Sequence, residues 1–247
     1  PLPEGKWLTP MAAERLMEKK IAAGETSITI RTIQPETGLK PMSSTHKLLE
    51  RTTLDVVGKT VAKIGTPQFS RPGFFTGPDL DVSAQPPWSE QLVGVARDAL
   101  SHMPPQRLSE SQRRDWLDVC AEAARRMEPA DVQARLVHAD VNPKNILVRR
   151  VGAQWQVAAL LDWEFAHSGC PYSDAANLLR FRDDYPPPFV ASFATAYERE
   201  VVEPRADWYP IGQALDVFSL SQLLAHDVGH PVADRVERLV REALRDG

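Results

Sequence analysis

Several things are scarce in this sequence, and each scarcity excludes something. Of 247 residues only Cys120 and Cys170 are cysteines, and they form no C-x-x-C pair. A disulfide framework is therefore not expected, and a reducing cytoplasm is the default location. No apolar run is long enough to span a membrane, and no stretch has a signal-peptide pattern. The formal net charge is −4 without any basic block, which argues against a nucleic-acid partner. Internal repeats and low-complexity tracts are missing too. The 21 prolines gather in loops, as at 86–87, 104–105 and 186–188.

What remains is an ordinary globular composition, 43% hydrophobic and 25% charged, enough for one large core or two unequal lobes. The informative stretch is Leu136 to Phe165, LVHADVNPKNILVRRVGAQWQVAALLDWEF. It sets out His138, Asp140 and Asn145 as H-x-D-x-x-x-x-N, with Asp162 at the end of the apolar run Val157–Leu161. Leu136-Val137 reads as a strand leading in. Ile146–Val148 and Trp155–Leu161 flank a turn at Gly152 and read as a β-hairpin. Both ends of such a hairpin face one place, so Asp140, Asn145 and Asp162 converge. That convergence suits phosphoryl transfer. Mg²⁺ takes few protein ligands and leaves the rest to water and phosphate, and the Asn145 amide oxygen and the Asp162 carboxylate fit that role. Asp140 then stays off the metal, beside the attacking hydroxyl, where it orients that group and accepts its proton. Asp, Asn and Pro are also common turn residues. Turn chemistry alone, however, does not set four polar residues at this spacing between buried-type strands.

On two motifs, HADVNPKNILV and LLDWEFAHSGCPYSDAANLLRF, the sequence resembles the aminoglycoside phosphotransferase and choline kinase-like family, the small-molecule branch of the protein-kinase fold. The resemblance runs from Val56 to the C-terminus and is most specific between His138 and Phe181. It implies an α+β, protein-kinase-like fold. A reduced or incomplete N-terminal lobe would occupy residues 1–55, and a mainly helical C-terminal catalytic lobe with the hairpin residues 56–247. It implies a catalytic base at Asp140, Mg²⁺ and nucleotide-phosphate ligands at Asn145 and Asp162, and ATP or GTP as the phosphate donor. His138 would be a scaffold residue of the loop. Asp174, in the stretch D-x-x-N-L, would brace that loop from below; the plain alternative for Asp174 is an N-cap at a helix start. Ala139 stands where glycine is usual, which is tolerable unless φ is positive there. Asn142 stands where protein kinases carry a lysine, which argues against a protein substrate and leaves a small-molecule hydroxyl as acceptor.

Along the chain, Thr9-Pro10 reads as the start of a helix ended by Gly24, and Ser27–Ile33 as a strand. Residues 34–42 read as loop. Thr45–Ile64 reads as a helix with Leu49, Val56, Val57 and Ile64 inward, interrupted by Gly58. No G-x-G-x-x-G phosphate loop occurs, no lysine falls within a convincing strand, and Arg31 is the one strand cation. Ser89–Met103 reads as a helix. Another begins at Ser109, with a capping box to Gln112 and an inner stripe of Trp116, Cys120, Ala123, Ala124 and Met127. Three more are marked by Phe189, Phe193 and Tyr197, by Ile211, Leu215 and Phe218, and by Val232, Val236 and Val240. His226 and His230 have the spacing of a zinc pair, but the glutamate of H-E-x-x-H is absent and Gly229 and Pro231 mark a helix end. Asp183, Asp184, Glu198, Glu200 and Glu203 form an acidic region, either a solvated surface or a seat for a cationic acceptor. The leading expectation is a Mg-dependent kinase of a small-molecule hydroxyl. A nucleotide-binding pseudokinase, motivated by the missing phosphate loop, is the alternative, and a metal-dependent hydrolase is a third reading.

Overall fold

The computed structural model describes residues 40–42, 51–77 and 79–246. The expected helix at residues 9–24, the strand Ser27–Ile33 with Arg31, and the helix start at residues 45–50 with Leu49 lie outside the described residues. In chain order the elements are β1 (Lys40–Pro41), α1 (Arg51–Ile64), β2 (Gly73–Thr76), β3 (Asp81–Val82), α2 (Trp88–His102) and α3 (Glu110–Met127). There follow β4 (Arg135–Val137), β5 (Ile146–Val151), β6 (Gln154–Leu160), β7 (His167–Gly169), α4 (Tyr172–Leu179), α5 (Pro187–Glu200), α6 (Trp208–Leu223) and α7 (Pro231–Asp246). The result is α+β, with helices dominating the C-terminal part.

Local chemistry sets the helix starts. Ser109 caps α3: its hydroxyl accepts from the Gln112 backbone N–H, and the Gln112 side chain accepts from Ser109 N–H in return. Proline occupies the first turn of α5, where its missing N–H costs nothing. Gly58 does not interrupt α1. It sits where α1 crosses α5, and a Cβ there would lie 2.6 Å from the Phe193 carbonyl oxygen. Glycine therefore lets two backbones touch, and the helical break expected from the sequence is a packing contact instead.

All strand pairs among the described residues are antiparallel. β5 and β6 form the hairpin, with Ile146 opposite Leu160 and Val151 opposite Gln154, and Gly152 takes the turn at φ +61°. β1 joins the other edge of β5, placing Lys40 opposite Val148. Residues 40–41 are thus strand where loop was expected, and Lys40 is a strand lysine. The second sheet has the order β3-β2-β7-β4.

Two apolar clusters hold these layers. One joins Val57 and Val61 of α1 to Ile146 and Val148 of the hairpin and to Tyr172, Phe189 and Phe193. The other joins Leu92 and Leu100 of α2 to Trp116, Cys120 and Met127 of α3 and to Val236 and Val240 of α7. Burying a side chain of this size is worth about 1.5–3 kcal/mol. α6 serves both clusters, giving Ile211 to the first and Ala214 and Val217 to the second. The rings of Phe189, Phe193 and Tyr197 stack in sequence along α5, continued by Tyr185 just before it, with interplanar angles of 9° to 13°.

Candidate active site

Two strand pairs fix the site. β4 lies beside β7, with Val137 opposite His167, and β5 lies beside β6, with Ile146 opposite Leu160. The loop at 138–145 leaves β4 and enters β5. The loop at 161–166 leaves β6 and enters β7. Bracketed by paired strands at both ends, the two loops run side by side, and Asp140, Asn145 and Asp162 all line one cleft of about 1140 Å³.

His138 ties the loops together. Its side chain is buried. Nδ1 accepts from the Asp140 backbone N–H at 3.2 Å, and Nε2 lies 2.9 Å from the Leu161 carbonyl oxygen. The two contacts require the neutral tautomer with its proton on Nε2, in keeping with burial, which lowers the pKa of this imidazole. The exposed Trp163 ring packs 4.3 Å from it.

Asp174 is fully buried in the first turn of α4 and is not an N-cap, since Pro171 precedes the helix and no side chain caps it. Its Oδ2 accepts from His138 N–H and its Oδ1 from Ala139 N–H, both at 2.9 Å. Burial pushes this carboxyl up to about 7, against the opposing pull of the two N–H donors. Ala139 is held at φ +67°, so the condition for tolerating alanine fails, and the loop carries left-handed backbone strain where glycine would carry none.

The Asp140 carboxylate is gripped on both oxygens. Asn142 Nδ2 donates to Oδ1 at 3.0 Å and Asn145 Nδ2 donates to Oδ2 at 2.8 Å. Asn145 Nδ2 also reaches the Asp140 carbonyl, so the amide nitrogen is fully occupied. Its Oδ1 has no hydrogen-bond donor among the described residues. Asp162 is exposed at φ +70°. One amide oxygen and one carboxylate make a hard, sparse donor set, which fits Mg²⁺ and not a soft metal.

The rest of the cleft was not apparent in the sequence. One face of α6, carrying Leu215, Phe218, Ser219, Gln222 and Leu223, forms a wall about 12 Å long at 1.5 Å per residue. Arg180 and Asp216 form a bidentate pair at 2.8 and 2.5 Å, with side chains only 10% and 8% exposed. Their separation of 36 residues gave no signal. The expected acidic region does not exist as a unit. Asp184 lines the cleft and pairs with Arg235 at 2.6 Å, whereas Glu198 accepts from Trp208 Nε1 and Glu203 pairs with Arg135. His226 and His230 lie in the link between α6 and α7, with rings stacked 4.5 Å apart. His230 Nδ1 accepts from Ala233 N–H, and no group of three or more metal-binding side chains occurs among the described residues.

Comparison with known proteins adds to this geometry. The sequence profile described as the phosphotransferase enzyme family matches residues 78–209. No curated protein matches the chain. Among solved structures, a thermostable mutant of the aminoglycoside phosphotransferase APH(4)-Ia, in ternary complex with ADP and hygromycin B, is 21% identical with a TM-score of 0.54. That likeness covers 82% of this chain and 68% of that one. A choline/ethanolamine kinase family protein from Mesorhizobium loti is 14% identical with a TM-score of 0.58, over 85% of this chain and 68% of its own. Choline kinase LicA from Streptococcus pneumoniae is 15% identical with a TM-score of 0.50, over 80% and 64%. The chain thus spans about two thirds of the length of these structures. The likeness establishes the kinase-like α+β fold. No helix among the described residues is long and apolar enough to cross a membrane.

Proposed function

The chain belongs to the phosphotransferase enzyme family, and from that premise we propose that it moves the terminal phosphate of a nucleoside triphosphate, ATP or GTP, to a hydroxyl of a small molecule. The observation that carries the reading is the Asp140 carboxylate, held by two side-chain amides at 3.0 and 2.8 Å on the same cleft as Asn145 and Asp162. A carboxylate fixed on both oxygens can orient an acceptor hydroxyl and take its proton without swinging onto a cation. Asn145 Oδ1 and Asp162 would hold Mg²⁺, which when bound neutralises charge on the nucleotide phosphates. His138 and Asp174 act through the backbone, setting where Asp140 stands. Residues 56–247 form the catalytic lobe in this reading and residues 1–55 a partial or divergent N-terminal lobe. The acceptor is a small molecule in the cytoplasm, and no nucleic acid or membrane is involved.

The test is Asp140→Asn with Mg²⁺, ATP or GTP and a panel of hydroxylated acceptors, read as ADP or GDP release and product mass. Transfer is expected to vanish while nucleotide affinity stays within a few-fold. Turnover within a few-fold of wild type removes Asp140 as the base. Nucleotide binding by the wild type without transfer to any acceptor restores the pseudokinase alternative.

A further inference from the structure

Lys144, Arg180 and Arg235 line the cleft, and they are not equivalent. Lys144 is exposed. Arg235 is engaged on its face and its edge: the guanidinium covers the Phe181 ring at 3.7 Å and pairs with Asp184 at 2.6 Å. Arg180 differs from both. Its side chain is 10% exposed, and Asp216, at 8%, closes on one edge of it, accepting from Nε at 2.8 Å and from Nη2 at 2.5 Å. The other terminal nitrogen, Nη1, has no hydrogen-bond partner among the described residues, and it retains accessible surface on the cleft. Asp140 stands within electrostatic reach. Burial alone would lower the pKa of this guanidinium, and the charges of Asp216 and Asp140 more than offset it.

This placement follows from α4. Its first turn carries Asp174, which holds the backbone of His138 and Ala139. Arg180 comes six residues later, about 9 Å along the helix at 1.5 Å per residue, where α6 brings Asp216 against it. One helix thus braces the base loop at one end and presents a cation to the cleft at the other. Apolar side chains would join α4 to α6 as well as this pair does, since a buried ion pair adds little net stability. A guanidinium carries five N–H donors, and Asp216 takes two of them. A charged donor left over in a nearly closed site is costly until an oxygen meets it. Asp216 also fixes the fork in one orientation, so little side-chain freedom is lost when a ligand binds.

We propose that Arg180 is a specificity-determining residue: its Nη1 donates to an oxygen of the small molecule in the cleft, a hydroxyl or carboxylate oxygen other than the one that is phosphorylated. That this molecule is the phosphate acceptor rests on the phosphotransferase reading of the cleft. An amine elsewhere on the molecule is compatible with the contact. Phe74 and Phe165, both exposed, present ring faces to the cleft, and the Asp184–Arg235 pair is open to solvent.

The test separates binding from transfer. Ligand-observed NMR of the full chain with Mg-ADP measures dissociation constants for trans-cyclohexane-1,2-diol, trans-2-hydroxycyclohexanecarboxylate and cyclohexanol. Burial of apolar area alone ranks cyclohexanol first. With Nη1 as donor, the diol or the hydroxy acid is expected to bind about ten-fold tighter than cyclohexanol, and whichever leads identifies the oxygen. Arg180→Lys keeps a cation against Asp216 and removes the second edge; it should erase the advantage and leave cyclohexanol within about two-fold. Arg180→Met combined with Asp216→Leu replaces the pair by apolar side chains and should do the same. Thermal unfolding followed by circular dichroism verifies that each variant is folded, and if neither folds the wild-type ranking decides. Cyclohexanol binding to the wild type as tightly as the other two overturns the inference, as does an advantage that survives in either folded variant. An advantage lost in the variants, with no phosphate passed from ATP or GTP to any acceptor, supports the Arg180 contact and removes the phosphotransferase reading.

Discussion

Replacing Asp174 with alanine is expected to destabilise the protein more at pH 5 than at pH 8, the reverse of an ordinary paired carboxylate. The perturbation removes the acceptor of two buried N–H groups, those of His138 and Ala139. Each orphaned donor costs roughly 1–3 kcal/mol, so the loss at acid pH is roughly 2–6 kcal/mol. The pH dependence follows from burial, which raises the carboxyl from 3.8 to about 7 in the folded protein. A group whose folded pKa exceeds its unfolded value contributes stability that is complete below the unfolded value and lost as pH rises through the folded one. The gap is about three pH units, roughly 4 kcal/mol in full, of which roughly 3 is lost between pH 5 and pH 8. Urea unfolding of both proteins at pH 5 and pH 8, followed by circular dichroism, gives the two differences directly. Subtracting variant from wild type cancels the titrating groups that do not interact with Asp174. A loss at pH 8 equal to or larger than that at pH 5 refutes the reasoning and means that the two N–H donors outweigh burial.

Three further outcomes are expected. Ala139→Gly relieves the positive φ at a position where alanine is strained by about 1 kcal/mol, and after the entropy of the freer unfolded chain should raise stability by about 0.5 kcal/mol in the same urea assay; a less stable variant contradicts this. Arg107→Met removes a fully buried guanidinium that bonds Glu237, Asp234 and the carbonyls of His226 and Asp227, and should cost about 3–5 kcal/mol; a loss under about 1 kcal/mol shows that the network is dispensable. The ring nitrogens of His138, followed by ¹⁵N NMR, should show the neutral Nε2–H form at pH 6.5, and an imidazolium signal there contradicts the two hydrogen bonds drawn to it.

The parts of this protein that local chemistry decides were legible in the sequence. The hairpin turn at Gly152 and the capping box at Ser109 each lie within a few residues, and the structure has both. The convergence of Asp140, Asn145 and Asp162 on one cleft also follows from strand order alone. Long-range contacts were not legible. Arg180 meets Asp216 and Arg107 meets Glu237 only because α6 and α7 fold back, and no spacing announces either pair. Gly58 looked like a break because propensity weighs glycine within its own helix, whereas here the neighbouring helix decides. The acids from Asp183 to Glu203 looked like one patch because they are near in sequence, yet Asp184, Glu198 and Glu203 each bind a different partner, Arg235, Trp208 and Arg135. Ala139, with its positive φ, donates its N–H to Asp174, 35 residues away, a contact that could not be read from HAD itself.

The two hydrogen bonds of the His138 ring have a consequence for motion. One nitrogen is bound to the backbone N–H of Asp140 and the other to the carbonyl of Leu161, just before Asp162. The imidazole is therefore a rigid spacer between Asp140 and Asp162. Thermal displacement of either loop is passed to the other, so the loops drift together and the interval between the two acids varies less than the position of either. In the proposed reaction, registration of the acceptor against the phosphate would tolerate a breathing scaffold. It does not tolerate the loss of one bond, after which the two acids would wander independently.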